Sequence, residues 1–241
     1  MSDSDGYPSG LDNAVEEEAG PPTPGLATRV LDVFFNPGKL AEALAAKPVW
    51  AGALLVGALL IVVQTSLIPV EVWEAMFREA ALQRSQPMPE GFAMGGTFMR
   101  LSAVVGGAIG WFVFAFLMAG ITTLVFAFIL GDEGRYRQYL SVLAHAWLIP
   151  ALVGLAMVPL RISESNPQLT LNLGSFFFFL PDGYLLKVFT MLDLSQLWAW
   201  LVVAQGASVI DPRRSFTSAA IILFGFSLAM AMIFAPFVPS M

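Results

Sequence analysis

This 241-residue chain has no cysteine and a single histidine, and no Asp, Glu, Lys or Arg stands inside any of its five long apolar runs. The missing cysteines exclude disulfides, iron–sulfur clusters and thiol catalysis within the chain. One histidine without cysteine or intramembrane carboxylates cannot complete a usual ligand set, so neither a metal nor another cofactor is expected. The uncharged runs tell against a proton- or ion-coupled carrier, which places ionisable groups at membrane depth. A nucleotide-binding motif is also missing. Charged residues make up only 12% of the chain, and nucleic acid is not an expected partner.

What is present is apolar: 57% of the residues are hydrophobic, a composition foreign to soluble domains. The five runs are Trp50 to Ile68, Leu101 to Leu130, Val142 to Leu160, Leu197 to Ile210 and Ala219 to Val238. About 20 apolar residues at 1.5 Å each cross a hydrocarbon core roughly 30 Å thick, so the first, third and fifth fit directly. The second is longer than needed and must tilt, kink or project, with Gly106-Gly107 as the expected bend. The fourth needs residues 193–196 as a first turn, and a re-entrant segment is its alternative. The expected fold is all-α, a bundle of five transmembrane helices over residues 50–241 with short amphipathic helices at the interface, and the lipid bilayer is its first partner. No h-region precedes Trp50, so the first span is expected to act as an uncleaved anchor.

The net charge of −6 has a simple location. Residues 1–25 carry Asp3, Asp5, Asp12, Glu16, Glu17 and Glu18 without a base, leaving twelve acids against twelve bases elsewhere. Rich in Ser, Gly and Pro, this leader reads as a disordered acidic tail. Lys and Arg in the flanks set the orientation. With the N-terminus inside, the cytoplasmic segments hold Arg29, Lys39, Lys47, Arg135, Arg137, Arg213 and Arg214, denser than Arg78, Arg84, Arg100, Arg161 and Lys187 in two long outer loops. The expectation is N-terminus cytoplasmic, C-terminus outside, in a cell membrane of bacterial cytoplasmic type.

Residues 26–49 are read as two short helices. Leu26, Val30, Leu31, Phe34 and Phe35 fall at helical spacing, and Asn36-Pro37 then gives a cap followed by proline at the first helical position. Leu40, Ala43 and Leu44 face away from Lys39, Glu42 and Lys47, and Pro48 stops the helix. The pair either lies in the interface or packs as a cover on the bundle. Beyond the first span, Glu71 to Gln83 reads as an amphipathic helix with Trp73, Met76, Phe77 and Ala80 on one face and Glu74 paired with Arg78 on the other. Ser175 and the aromatic run Phe176 to Phe179 are too short to cross and are expected to dip into the interface or cap the bundle.

Inside the spans the polar candidates are Gln64, His145 and Gln205, beside Thr65, Ser66, Thr122, Thr123 and Ser208, most of them suited to bonds between helices. Arg100, Asp132, Glu133, Asp193 and Asp211 sit at span ends, where they are expected to reach water. Ser141 stands one turn before His145, but a nucleophile also needs an oriented base and an oxyanion hole, so no catalytic residue is assigned and the chain is read as a non-enzyme. The small pairs Gly106 with Gly110, Ala53 with Gly57, Ala115 with Ala119 and Ala231 with Ala235 predict close helix contacts, expected within one bundle.

Three segments carry a resemblance. Gly131 to Pro150, GDEGRYRQYLSVLAHAWLIP, resembles the part of Yip domain membrane proteins in which a charged cytoplasmic turn enters an apolar helix ending near a proline. Phe34 to Trp50, FFNPGKLAEALAAKPVW, looks like the entry segment of bacterial members, and Leu192 to Val209, LDLSQLWAWLVVAQGASV, is similar to their penultimate span. The resemblance implies five helices and a cytoplasmic N-terminus. For eukaryotic relatives it implies Rab-type GTPases and vesicle transport, but no functional residue carries over. Two functions are therefore expected: a non-enzymatic scaffold or adaptor with a membrane or cytoplasmic protein partner, or a translocator of lipid or small solute, alone or as the membrane subunit of a transport complex.

Overall fold

The computed structural model describes residues 23–83, 95–177 and 179–237. The acidic leader before residue 23, Phe178, and the side chains of Phe77 and Ala80 lie outside this description. The described chain is helical, with one isolated antiparallel bridge between Asn172 and Asp193. Its helices are α1 (Leu26–Phe35), α2 (Pro37–Ala46), α3 (Ala51–Leu67), α4 (Val70–Gln83), α5 (Gly95–Thr123), α6 (Tyr136–Ala146), α7 (Leu148–Ala156), α8 (Val158–Ser163), α9 (Tyr184–Met191), α10 (Leu194–Ile210) and α11 (Phe216–Phe234).

Prolines set most of the boundaries. Pro37 opens α2 as expected, although Asn36 uses its amide to bond Asp32 instead of capping the helix. Ile68 is extended before Pro69, and the chain turns by 84° from α3 into α4. Pro150 and Pro159 have no N–H to give the preceding turn, and the third run is broken at Trp147 and Met157, where α7 and α8 restart. In α5 the helix runs unbroken through Gly106-Gly107, and the irregularity lies at its far end, where Leu124–Ile129 is a π-helix. Gly131 then turns the chain at φ +74°, a left-handed geometry glycine adopts without a side-chain clash.

Among the described residues, three helices are long and apolar enough to cross a membrane: Gly96–Ile129, Tyr136–Ala156 and Phe216–Phe237. The α3–α4 pair qualifies only as one bent unit, and α10 falls short at 17 residues. The apolar windows of the three are 28%, 72% and 22% buried respectively, so α6–α7 forms the centre and α5 and α11 the periphery.

Around that centre pack α3, α5 and α10. Gly57 lets α3 meet α5 closely, because a Cβ there would overlap the Trp111 ring, whose Nε1 donates to the Leu54 carbonyl at 3.0 Å. Gly206 gives Val142 the same room between α10 and α6. Ala53, Ala115, Ala119, Ala231 and Ala235 are buried within the bundle. Gly106 and Gly110 are not: both are exposed, and nothing lies within 4 Å of a Cβ built on either, so this pair makes no internal contact. The reason is rotational, since α5 turns its Trp111 and Ala115 side inward and its glycines outward.

One end of the bundle is covered by α1 and α2. Leu40, Ala41 and Leu44 are buried against α10 and α6, and Gln138 Nε2 donates to the Ala45 carbonyl at 2.9 Å, so α2 is a packed cover. Leu31 and Phe35 of α1 stay exposed. At the opposite end, residues 164–177 and 179–193 fold back on the bundle: Leu173 N bonds Leu192 O at 2.9 Å and Leu194 N bonds Leu171 O at 2.8 Å. Phe177 stacks on Phe189 of α9 at 4.5 Å, whereas Phe176 and Phe179 are exposed. On α4, no ion pair forms between Glu74 and Arg78; Glu74 and Val70 instead lie over Gly96, where α4 meets α5.

Candidate functional site

Gln64 is the polar residue of α3 that packing keeps. It is buried near the helix end, and glycine at position 154 makes the space, because a Cβ there would strike the Gln64 amide oxygen. That oxygen accepts from Arg161 Nη1 at 3.1 Å, and Arg161 Nε donates to the Leu169 carbonyl at 2.9 Å. The other terminal nitrogen of the guanidinium has no acceptor among the described residues. Burial lowers the Arg161 pKa, and the nearby Asp193 charge acts in the opposite sense. Arginine still stays protonated in proteins, so the site holds a fixed positive charge.

These groups end an open cavity of about 300 Å³ lined by α3, α5, α7, the start of α10 and residues Thr170 and Leu171. A second cavity, about 340 Å³, lies between α5, α10 and α11. Phe114, Trp147, Asp193 and Gln196 line both, so the two adjoin across this partition. Their size lies at the lower end of that of small-molecule sites. The second cavity is walled by aromatic rings in contact: Trp147 lies 5.4 Å from Phe114 and 5.1 Å from Trp200, which in turn lies 6.3 Å from Phe226. α11 packs on α10 and α9 and not to any extent on α5, although both α5 and α11 line the cavity. Phe114 and Leu117 line it while being 41% and 59% exposed, which places its mouth on the side of the bundle between those helices.

The partition between the cavities carries two kinds of polar group. Asp193 caps α10, its Oδ1 accepting from Ser195 N at 2.7 Å, from Gln196 N at 3.0 Å and from the Ser195 hydroxyl. Trp147 is only 2% exposed, and its Nε1 is buried without an acceptor. An indole N–H can only donate, and no described residue accepts from it. Gln196 is exposed, and its side-chain amide makes no hydrogen bond within the described chain.

The covered end has its own polar contacts. His145 is fully buried, and its Nδ1 lies 2.8 Å from the Ser141 carbonyl, which can only accept, so Nδ1 carries the proton. Nε2 is then the acceptor for Arg29 Nη1 at 3.4 Å, and Arg29 also reaches the Val49 carbonyl. Burial lowers the Arg29 pKa. The Ser141 hydroxyl donates to Arg137 O at 2.8 Å, so no Ser–His pair forms; the histidine fastens α1 to the bundle. Gln205 lies near Gly38 of α2. Gln64, His145 and Gln205 therefore do not converge: only Gln64 reaches the cavities.

Three of the span-end acids are buried, contrary to the expectation that they reach water. Asp132, Asp193 and Asp211 retain 9%, 8% and 1% of their surface. Asp132 takes a two-pronged bond from Arg214, at 2.6 and 3.0 Å, and Arg214 lies over the Phe126 ring. Asp211 accepts from Arg213 and from Glu133 N, and the Arg213 bonds hold its carboxyl well below the usual carboxylate range. Together these bonds join the π-helical end of α5 to the α10–α11 turn. Acids at turns between helices are buried here because each satisfies a cation or backbone N–H from another segment.

The cavity residues missed by pattern reading are Trp111, Trp147, Arg161, Asp193 and Gln196. A faint signal existed in Asp193-x-Ser195, a capping pattern just before an apolar run, but it marks a helix start and not a site. Comparison with family models, with curated proteins and with solved structures finds no match for this chain.

Proposed function

We propose that this is a non-enzymatic multi-pass membrane protein that takes an amphiphile from the bilayer into its internal cavities, as a lipid or small-solute translocator or as the membrane subunit of one. The observation that supports it is the pairing of an aromatic cavity, open sideways between α5 and α11, with an adjoining cavity that ends on Arg161. Apolar surroundings with a few convergent polar groups are the usual make-up of a ligand pocket. The non-enzymatic reading draws on Ser141 and His145, whose polar atoms are taken by backbone and Arg29.

A scaffold or adaptor is the second reading, and a different observation favours it. The α1–α2 cover is fastened to the bundle by Gln138 and Arg29, so the exposed Lys39, Glu42, Lys47, Arg135 and Arg137 are held on a fixed surface. Native mass spectrometry of the protein released from its membrane separates the two. A retained lipid on the bare chain is the expected result. A stoichiometric protein partner with no retained lipid would move the assignment to the scaffold.

The crossing arrangement is part of the same proposal: α3, α5, α6–α7, α10 and α11 as five spans of Yip type, in a cell membrane, with the α1–α2 end cytoplasmic. The absence of cysteine makes this directly testable by placing one at Lys47 or at Gln168, both exposed and at opposite ends. A membrane-impermeant maleimide should label Gln168→Cys in intact cells and Lys47→Cys only after permeabilisation. The reverse pattern would invert the topology.

A further inference from the structure

We propose that the two adjoining cavities form one site for a phosphodiester lipid, its monoanionic phosphate held by Arg161, Trp147 Nε1 and Gln196 and an acyl chain lying in the cavity between α5 and α11. This rests on the amphiphile reading above and names the class of amphiphile. Three donors point to the head group. Arg161 is fixed by Gln64 and Leu169 and keeps a terminal nitrogen with no acceptor among the described residues. Trp147 lines both cavities, and its Nε1 is a buried donor without an acceptor among the described residues. The Gln196 side chain lies on the same partition with its amide unused. Phosphate oxygens are acceptors only, and an arginine fixed at one edge is suited to bind them through the other.

Asp193 limits the charge. Its carboxylate lines both cavities near the Arg161 guanidinium, with one oxygen taken up by the start of α10. One fixed cation and one fixed anion suit a head group of single negative charge better than a phosphomonoester approaching two, because like charge at short range is unfavourable. The acyl part follows from the second cavity. Its lining is Phe114, Leu117, Met118, Trp200, Phe226 and their neighbours, and in the crossing arrangement proposed above its lateral mouth faces lipid. A soluble phosphate compound would leave this lobe empty.

The test is retention of defined lipids by the full chain, purified in detergent, delipidated and incubated with phosphatidylglycerol, diacylglycerol of the same acyl chains, or glycerol 3-phosphate, and read by native mass spectrometry. Phosphatidylglycerol should be retained about tenfold or more over diacylglycerol, the factor expected for a charge-assisted bond. Arg161→Gln should abolish that preference. Trp147→Phe, which keeps the ring and removes the donor, should weaken phosphatidylglycerol by roughly two- to tenfold. Ser227→Trp, which fills the acyl cavity, should reduce both lipids together.

Equal retention of phosphatidylglycerol and diacylglycerol would overturn the phosphate assignment and leave the amphiphile reading standing. No retention of any lipid by the folded chain would overturn both. Displacement of phosphatidylglycerol by glycerol 3-phosphate at similar concentration would assign the site to a soluble anion and overturn the acyl part. Trp147→Phe that folds and binds as the parent does would remove the indole from the site.

Discussion

Replacing Asp132 by asparagine is expected to cost about 3–5 kcal/mol of stability, the range for breaking a buried ion pair by removing one partner. The side chains of Asp132 and Arg214 are 5% and 17% exposed, so the remaining guanidinium cannot rehydrate fully. It would also lose the partner that holds it over Phe126, which stacks on Tyr139 of α6 at 5.9 Å. The loss should therefore spread to the π-helical end of α5 and to the start of α6. Denaturation of the detergent-solubilised protein measures it, and the pairing predicts a recovery. Asp132→Leu combined with Arg214→Met should regain most of the lost stability, since an apolar pair of similar volume avoids the desolvation cost of both ions. A cost below about 1 kcal/mol for the single change would place the pair among hydrated surface bridges.

Gly57→Val should be nearly as damaging, for a steric reason. A Cβ at this position overlaps the six-membered ring of Trp111, so either α3 and α5 separate or the indole moves. Overpacking of this kind costs about 1–3 kcal/mol. Movement of the indole adds the bond from Nε1 to Leu54 O, worth roughly 1 kcal/mol net. Because Trp111 also lines the cavity ending on Arg161, lipid retention should fall with stability. The second-site change Trp111→Leu should restore part of the stability in the Gly57→Val background while costing stability alone. Additive losses in the double variant would mean that the clash is absorbed elsewhere.

The elements of this fold were largely legible in the residues. Pro37 and Pro69 mark boundaries through an effect local to each, a missing N–H and a steric limit on the preceding residue, whereas the breaks near Pro150 and Pro159 fall inside a run that reads as one continuous span. The amphipathic cover α2 was readable because Leu40 and Leu44 share a face against Lys39 and Glu42. Other features were not. Gly106 with Gly110 forms the same small-residue spacing as Ala53 with Gly57, yet the first pair points outward and the second receives Trp111. The charged residues at span ends looked alike as well, although Asp132 and Asp211 are buried in ion pairs and Glu133 is exposed.

By itself, then, the sequence determined an apolar, helical, cysteine-free body with helices long and apolar enough to cross a membrane, but not the breaks at Trp147 and Met157 nor the unbroken course of α5 through Gly106-Gly107. Those properties depend on composition and on neighbours along the chain. Only the tertiary structure decided that Gln64, Trp147, Arg161 and Asp193 meet around adjoining cavities, and that His145 and Gln205 lie apart from them. The physical reason is rotational: a helix apolar on every side carries no periodic signal for which face is inward. Its rotation is set by where small residues such as Gly57, Gly154 and Gly206 admit a neighbour's side chain.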